Sequence, residues 1–222
     1  MHDKKIVSIS GLIGSGKDTV SNFLVTKHGF KRYSFASPLK DAISSIFGWD
    51  RVLLEGLTPE SRVWREQVDE WWAAKLNMPH LTPRWVLQYW GTNLFRDQFH
   101  DEIWIHSLER KLMQESGDVV ITDVRFNNEL NLIKKLGGIT LRVKRGPEPE
   151  WYDHAVAVNK GSGTVGWAIG KDALFTRYKI HPSEYMSVGL DYDHVIDNNG
   201  TLSELHRKID SIIDFQIASS PV

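Results

Sequence analysis

The 222-residue chain contains no cysteine. This absence excludes disulfide bonds, thiolate metal sites and thiol nucleophiles, and it fits a reducing compartment. No apolar run approaches the roughly 18 residues that a membrane-spanning helix needs. The first ten residues, MHDKKIVSIS, contain no signal-type apolar region. We therefore expect a cytoplasmic protein that does not contact a membrane.

The chain also lacks an excess of charge of either sign. It has 27 Lys and Arg residues against 28 Asp and Glu residues, a net charge of −1. Because proteins that bind nucleic acid usually carry a basic stripe, we expect no nucleic-acid partner. An apolar fraction of 41% is ordinary for a globular protein. Nine tryptophans are many, and we expect those at helical spacing, Trp64, Trp71, Trp72 and Trp85, to pack in the core.

Short β-branched apolar runs alternate with helical segments along the chain. The predicted strands are Lys5–Ser10, Lys31–Ala36, Asp118–Thr122, Ile139–Val143 and Tyr192–Asp197. Cap residues followed by proline or glycine predict helices over about 16–28, 37–47, 82–99, 101–115, 127–136 and 201–215, together with one in the charged, aromatic stretch 50–81. Strands that alternate with helices pair in parallel, so the fold class is α/β, a doubly wound, mostly five-stranded parallel sheet flanked by helices.

We expect a single domain over residues 1–222 with two elaborations. The first is a helical region over 37–100, between the second and third predicted strands. A long stretch with several glycines and basic residues, 146–190, reads as a loop, and loops of that length are usually functional lids or disordered.

The strongest motif is SGLIGSGKDT, residues 10–19, which nearly has the form G-x-x-x-x-G-K-[ST]. A glycine-rich turn from a buried strand into a helix directs several backbone N–H groups at one anion, and the helix dipole adds to the attraction. Lys17 would reach the β- and γ-phosphates of a nucleotide. The alternative is a glycine-rich turn that matches the motif by chance. The predicted strand directly before the loop argues against it.

Asp18 stands where the motif normally has the hydroxyl that helps to hold magnesium. A carboxylate beside triphosphate oxygens is repulsive unless a cation lies between them, so Asp18 would bind Mg²⁺ directly or through water. Thr19 can still offer its hydroxyl or backbone N–H to a phosphate. The alternative is that Asp18 only favours the first turn of the helix, and both roles are compatible.

Two charged residues follow the third predicted strand. Asp123 lies at the carboxyl end of the sheet, where ligands bind in open α/β folds. It could hold a magnesium-bound water or accept a hydrogen bond from the substrate that receives the phosphate. Arg125 could neutralise phosphate charge, as could Arg145 at the start of the lid-like segment. The alternative for Asp123 and Arg125 is a turn at the protein surface without a functional role.

Polar residues between the first helix and the third strand are candidates for the acceptor site. They are Ser37, Lys40, Arg65, Arg84, Gln88 and Thr92. Arg84 and Gln88 are four residues apart and share one helix face, where they could offer a guanidinium to a monophosphate and an amide to a base. A solvated polar face would look the same.

In several ordered blocks the chain resembles the deoxynucleoside monophosphate kinases of tailed bacteriophages, a branch of the P-loop nucleotide kinases. The blocks are SGLIGSGKDT, FASPLKDAI, EGLTPESRVWRE, LQYWGTNLFRDQF with the later Trp104, ITDVRFNNE, RVKRG, HPSE and VIDNNGTLSEL. The segment 57–81 departs from the family pattern by its richness in tryptophan, and 146–180 does not align with it, so base specificity and lid geometry are not implied.

The resemblance implies transfer of the ATP γ-phosphate to a deoxynucleoside 5′-monophosphate, with Mg²⁺. It assigns the phosphate loop to the ATP phosphates, with the candidates Gly11, Ile13, Gly14, Ser15, Gly16, Lys17, Asp18 and Thr19, and it places Asn198 near the ATP base. It places Asp123 and Arg125 at the reacting centre, Arg145 in the lid, and Lys40, Arg65, Arg84 and Gln88 at the acceptor. A homodimer is an open expectation, and the location would be the host cytoplasm if a phage encodes the chain.

Two other readings remain open at this point. Another small-molecule P-loop kinase, of the dephospho-coenzyme A or phosphomevalonate type, can have a similar phosphate loop. A nucleotide-binding switch that transfers no phosphate would share the loop as well, although the basic residues of 146–190 argue against it.

Overall fold

Five parallel strands form the sheet in the computed structural model, which describes residues 4–161 and 165–219. The strands are β1 (Ile6–Ser10), β2 (Lys31–Tyr33), β3 (Val119–Ile121), β4 (Ile139–Lys144) and β5 (His194–Asp197). Their order across the sheet is β2-β3-β1-β4-β5, and every neighbouring pair is parallel. The predicted fold class is confirmed.

The strand order places β1 at the point where the chain changes direction across the sheet. β1 pairs with β3 on one side and with β4 on the other, so the loop that follows it leaves at the switch point. In open parallel sheets the carboxyl end of the strands at this point is where ligands bind. All five residues of β1 are buried, as expected for a central strand covered on both faces.

Helices connect and flank the strands. They are α1 (Lys17–His28), α2 (Ser37–Phe47), α3 (Pro59–Glu66), α4 (Glu70–Leu76), α5 (Pro83–Gln88), α6 (Ile103–Gln114), α7 (Asn127–Lys135), α8 (Tyr152–Lys160), α9 (Val165–Asp172), α10 (Pro182–Tyr185) and α11 (Leu202–Ser219). A 3₁₀ turn covers Leu53–Glu55, and π-helical turns cover Tyr89–Leu94 and Ala173–Arg177. α1 and α11 pack on the sheet through Leu24 and Ile209, both fully buried.

The chain divides into two compact units. The helical unit is Phe35–Gln114, and the sheet unit consists of the chain before Phe35 and after Gln114. The sheet unit carries all five strands, and the helical unit contains α2 to α6. The chain therefore leaves the sheet unit just after β2 and returns just before β3.

Aromatic rings fill the core of the helical unit. Phe47 stacks on Trp49 with ring centroids 4.4 Å apart, and Trp72 meets Phe47 edge-on at 4.9 Å. The expected core position holds in part for Trp72, which is half-buried and donates its indole N–H to the Phe47 carbonyl. It is wrong for Trp71, whose exposed fraction is 59%, and for Trp85, which is exposed too. Neighbouring residues on a helix point about 100° apart, so Trp71 and Trp72 cannot both face one core.

The lid-like segment is helical where the sequence predicted a long loop. Residues 146–190 contain α8, α9, the second π-helical turn and α10. Glycine permits close packing here: a Cβ at Gly170 would lie 2.7 Å from the carbonyl oxygen of His154. The glycines that indicated a loop thus include one that lets two helices approach. The role of this segment as a lid stays a prediction.

Smaller differences occur at element ends. Ser37 was expected to cap α2, but it is the first helical residue and Ala36 is the cap. β2 ends at Tyr33, so Ser34 lies beyond the strand. The helix expected over 82–99 changes after Gln88 into the π-helical turn that contains Thr92.

Candidate nucleotide-binding and transfer site

The glycine-rich loop leaves the carboxyl end of β1 and turns directly into α1. Gly11, Gly14 and Gly16 have φ of 147°, 80° and 102°. The backbone of any residue with a Cβ would be strained at these positive values. A Cβ at Gly11 would collide with the Val143 carbonyl, and one at Gly16 with the Asn198 amide. The loop therefore requires glycine both for its conformation and for its close packing.

Two side chains hold the loop in this conformation. Lys17 Nζ donates to the carbonyl oxygen of Leu12 at 2.9 Å, within the loop itself. Asn198 Nδ2, just after β5, donates to the carbonyl oxygen of Ser15 at 2.9 Å. The structure thus places Asn198 against the loop backbone, and its expected position near the ATP base stays a prediction.

The loop has features that fit a bound phosphate. It ends at the N-terminus of α1, where backbone N–H groups and the helix dipole attract anions. The Ser15 hydroxyl is buried and has no hydrogen-bond partner among the described residues, which is unusual for a buried polar group. Nothing lies within 4 Å of a Cβ placed on Gly14, so that part of the loop is open.

The candidate metal ligands are single carboxylates. Asp18 and Thr19 are both exposed in the first turn of α1, and Asp123 is half-buried at the end of the β3 strand. Among the described residues, no group of three or more His, Asp and Glu side chains could enclose a metal ion. Mg²⁺ at phosphate sites normally uses one or two carboxylates, waters and substrate oxygens, so this donor set fits it.

The turn after β3 is fixed from two neighbouring strands. Ser34, just after β2, donates its hydroxyl to Asp123 Oδ2 at 2.6 Å, the length of a charge-assisted hydrogen bond. Ser10, the last residue of β1, donates to the carbonyl oxygen of Val124 at 3.0 Å. Asp123 therefore has a defined orientation at the carboxyl edge of the sheet.

Two carboxylates hold Arg125. Its backbone N–H donates to Glu129 Oε2 at 2.7 Å, and Glu129 is buried at the third position of α7, where it also accepts from the Phe126 N–H. The Arg125 guanidinium contacts Glu184 of α10 at 3.3 Å. The backbone of the Asp123–Arg125 turn is thus rigidly positioned, while the guanidinium remains half-exposed.

Arg142 in β4 and Arg145 just after it differ in environment. Arg142 forms an ion pair with Glu148 at 2.6 Å and lies 5.1 Å from the centre of the Tyr152 ring. Burial raises the pKa of that Tyr152 phenol, which is therefore neutral at physiological pH. Arg145 is exposed and is the arginine of this pair with a side chain in solvent.

The helical unit holds all six acceptor candidates. Lys40 forms an ion pair of 2.5 Å with Glu55, which also accepts from Arg51. Burial acts to raise the pKa of Glu55, but the positive charges of Lys40 and Arg51 outweigh it and lower that pKa. Lys40 is therefore held in a charged network, with only 13% of its side chain exposed.

The remaining acceptor candidates lie on α2, α3, α5 and the first π-helical turn. The Arg65 guanidinium lies where a Cβ on Gly56 would be, which explains glycine there. Arg84 Nε contacts Glu66 at 3.2 Å, and Gln88 lies one turn further along α5. The structure thus brings Arg84 and Gln88 to one helix, whereas Thr92 is in the π-helical turn and Ser37 opens α2.

The sequence analysis missed several side chains that hold the candidate residues. Ser34 was placed inside a predicted strand, although a hydroxyl at a strand end in this fold was a usable signal. Glu129 stands three residues after Phe126, the spacing of a helix cap. Glu184 lies in the HPSE block, where it had no assigned role. Leu12 lies in the phosphate loop, where it had no assigned role.

Comparisons with known proteins place the chain among sequence relatives. Residues 5–55 match the family model described as deoxynucleotide monophosphate kinase. A protein of Acanthamoeba polyphaga mimivirus, assigned as a deoxynucleotide monophosphate kinase, is 31% identical over an alignment that covers 94% of this chain and 96% of that protein. The chain belongs to the deoxynucleotide monophosphate kinase family. The resemblance inferred from the sequence blocks is confirmed.

Two further proteins have lower sequence identity to the chain. The deoxynucleoside-5′-monophosphate kinase of Escherichia phage T5 is 27% identical over 59% of this chain and 72% of its own length. Among solved structures, the dephospho-CoA kinase of Campylobacter jejuni is 14% identical, with a TM-score of 0.41 over 95% of this chain and 96% of that one. Across the described residues, the helices are too short or too polar to span a membrane.

Proposed function

We propose that the chain is a kinase that transfers the γ-phosphate of ATP to a deoxynucleoside 5′-monophosphate, giving ADP and the deoxynucleoside diphosphate. The observation that carries this proposal is the full-length similarity to a family of that activity, combined with a strand–loop–helix phosphate loop at the switch point of the sheet. The dephospho-coenzyme A, phosphomevalonate and switch readings have no such observation in their favour.

The phosphate loop would bind the triphosphate. Backbone N–H groups between Gly11 and Thr19 would donate to β- and γ-phosphate oxygens, with Ile13 and Ser15 among the donors. Lys17 would exchange the Leu12 carbonyl for a phosphate oxygen. This exchange replaces a neutral acceptor by an anionic one, which makes a shorter and stronger hydrogen bond.

Asp18 and Asp123 would hold Mg²⁺, directly or through water. Bound at the triphosphate, Mg²⁺ neutralises charge that develops on the phosphate oxygens. The hydrogen bond from Ser34 orients the Asp123 carboxylate at the end of the strand, where it would face the metal or the phosphate acceptor. Support for this role is the donor set, in which single carboxylates lie at the loop and at a neighbouring strand end.

Arginines would stabilise the moving phosphoryl group. Phosphoryl transfer depends mainly on positioning and on neutralising charge at the equatorial oxygens. Arg125, fixed through its backbone by Glu129, supplies one positive charge, and Arg145 would supply another from the segment 146–190. Closure of that segment would exclude water and so limit hydrolysis of ATP.

The helical unit would bind the acceptor. Arg65 and Arg84 can offer paired N–H groups to a monophosphate, a geometry that suits guanidinium better than ammonium. Gln88 would hydrogen-bond the base, and Ser37, Lys40 and Thr92 would complete the site. The homodimer and the cytoplasmic location stay predictions.

An acceptor panel tests the proposal. ADP formation from ATP is measured with each deoxy- and ribonucleoside monophosphate and with dephospho-coenzyme A, in the presence of Mg²⁺. We expect ADP that depends on at least one deoxynucleoside monophosphate. If ADP forms with dephospho-coenzyme A and with no nucleoside monophosphate, the phosphate acceptor is dephospho-coenzyme A. If nucleotide binds but no acceptor-dependent ADP forms, the protein is a nucleotide-binding switch.

A further inference from the structure

The side chain of Leu12, in the phosphate loop, contacts residues that are far from the loop in sequence. It packs against an apolar cluster, here called the 151–188 cluster, whose buried members are Ala155, Leu174, Tyr185 and Val188. Half-buried Trp151 and Ile180 pack against the same group. These residues come from α8, α10 and the chain around them, so one phosphate-loop residue is part of the core of the segment expected to form the lid.

The backbone of Leu12 has a separate role within the loop. Its carbonyl oxygen accepts from the Ser15 N–H at 3.2 Å and from Lys17 Nζ at 2.9 Å. Ile13, the next residue, has an exposed fraction of 76%, whereas Leu12 is half-buried against the 151–188 cluster. Leu12 therefore contacts Lys17 through its backbone carbonyl and the 151–188 cluster through its side chain.

The same cluster reaches the reacting centre at a second point. Tyr185, buried in the cluster, follows Glu184, which contacts Arg125 at 3.3 Å. The helices around the cluster are thus attached to the phosphate loop by an apolar contact and to the Asp123–Arg125 turn by an ion pair.

We propose that Leu12 is a positioning residue that couples nucleotide binding at the phosphate loop to the packing of the 151–188 cluster. A loop containing Gly11, Gly14 and Gly16 has high conformational freedom, and an apolar anchor reduces the freedom that must be lost when phosphate binds. Coupling between two sites is reciprocal in free energy, so phosphate binding also stabilises the cluster. This inference rests on the nucleotide-binding part of the proposed function and not on the acceptor.

Three variants of the full chain test the coupling. Leu12→Ala removes the anchor, Leu12→Met restores an apolar side chain of similar volume, and Ile180→Ala removes the isomeric side chain from the same cluster outside the loop. Two quantities are measured in each: the Kd of a non-hydrolysable ATP analogue, and the protection from hydrogen exchange that the analogue gives to residues 152–160. Thermal unfolding is followed in parallel to establish that each variant is folded.

We expect Leu12→Ala to raise the Kd about tenfold, a change typical of a coupling of roughly 1.4 kcal/mol, and to abolish the analogue-dependent protection of α8. Leu12→Met should behave like the original chain. Ile180→Ala should exchange faster in α8 without nucleotide, yet keep a Kd within about twofold of the original and regain protection on binding.

Two results would overturn the coupling. One is a Leu12→Ala variant in which the analogue still binds and protects α8 as in the original chain. The other is an Ile180→Ala variant that loses affinity as much as Leu12→Ala, because general loosening of the cluster would then explain both. An original chain that binds the analogue but phosphorylates no monophosphate defeats the proposed function alone, whereas one that fails to bind it defeats both.

Discussion

Three cations proposed to contact the substrates already have partners within the protein. Lys17 donates to the Leu12 carbonyl, Arg125 contacts Glu184, and Lys40 contacts Glu55. Lys17 and Arg125 must exchange these partners for phosphate oxygens when substrate binds. Because a partly exposed ion pair contributes little net free energy, breaking the Arg125–Glu184 pair costs little, and each partner holds its cation near its working position.

At the residue scale, Lys17→Ala should reduce kcat about 100- to 1000-fold, because the developing charge on the transferred group loses its nearest cation. Steady-state ADP formation at saturating substrates is the measurement. Lys27→Ala is the matched control: Lys27 lies on the same helix, in its last turn, and pairs with Asp210. If both variants keep the original rate, Lys17 has no catalytic role.

Ser34 gives a second prediction at this scale. Ser34→Ala should lower kcat about tenfold, the effect typical of removing a hydrogen bond that orients a functional ligand, with little change in KM for ATP. Ser34→Thr retains the hydroxyl and should restore most of the rate. Kinetics and thermal unfolding of both variants are compared, and a Ser34→Ala protein that loses stability but no kcat would contradict the orienting role.

At the scale of elements, the 3₁₀ turn and α2 of the helical unit are joined by charge. Glu55 of the turn accepts from Lys40 on α2, and Arg51 bridges Glu55 and Asp41. The positive neighbours lower the pKa of Glu55 despite the opposing effect of burial. The ionised form is thus favoured in the folded protein relative to the unfolded chain.

The sign of the resulting pH dependence follows from that lowered pKa. The stabilisation from Glu55 is complete above its unfolded pKa, about 4.3 to 4.5, and is lost as the pH falls through the lower folded pKa. Glu55→Gln should therefore reduce the free energy of unfolding of the helical unit by about 1 to 2 kcal/mol at neutral pH, and the deficit should shrink on acidification below about pH 4.

Tryptophan fluorescence in urea measures this directly, because seven of the nine tryptophans lie in the helical unit. Glu66→Gln serves as the control, since Glu66 is 60% exposed in its pair with Arg84 and should change stability little. A Glu55→Gln deficit that is constant from neutral to acid pH would show that the charge of Glu55 is not responsible.

The sequence predicted the elements whose pattern is local. Each of the five strands overlaps a predicted strand, and the parallel sheet follows from their alternation with helices. Thr201 and Glu204 form the predicted capping box, with each side chain accepting from the backbone of the other. The phosphate loop could be predicted because its glycines, lysine and preceding strand are contiguous in the chain.

Features that depend on distant packing could not be predicted from local pattern. The glycines of 146–190 suggested a loop, yet Gly170 allows α9 to pack close to the backbone of α8. The π-helical turn after Gln88 accompanies a close approach of Gly91 to Leu39, which no sequence spacing reveals. Ser34 and Glu184 act on residues far away in sequence, so their contacts emerge only from the fold.

At the scale of the whole molecule, the candidate residues divide between the two units. All candidates for binding ATP and metal lie in the sheet unit, and all candidates for the acceptor lie in the helical unit. The match to the family model runs from β1 into the 3₁₀ turn, and the mimivirus relative aligns with 94% of the chain. Both units therefore belong to the family pattern.

Phosphate transfer is tested most directly with ATP labelled at the γ-phosphorus. The chain is incubated with labelled ATP, Mg²⁺ and each deoxynucleoside monophosphate in turn, and the products are separated by chromatography. The proposed activity predicts label in a deoxynucleoside diphosphate, equal in amount to the ADP formed, and label that accumulates about 100- to 1000-fold more slowly with the Lys17→Ala variant. Label found only in inorganic phosphate, or in no product with any of the monophosphates, would contradict it.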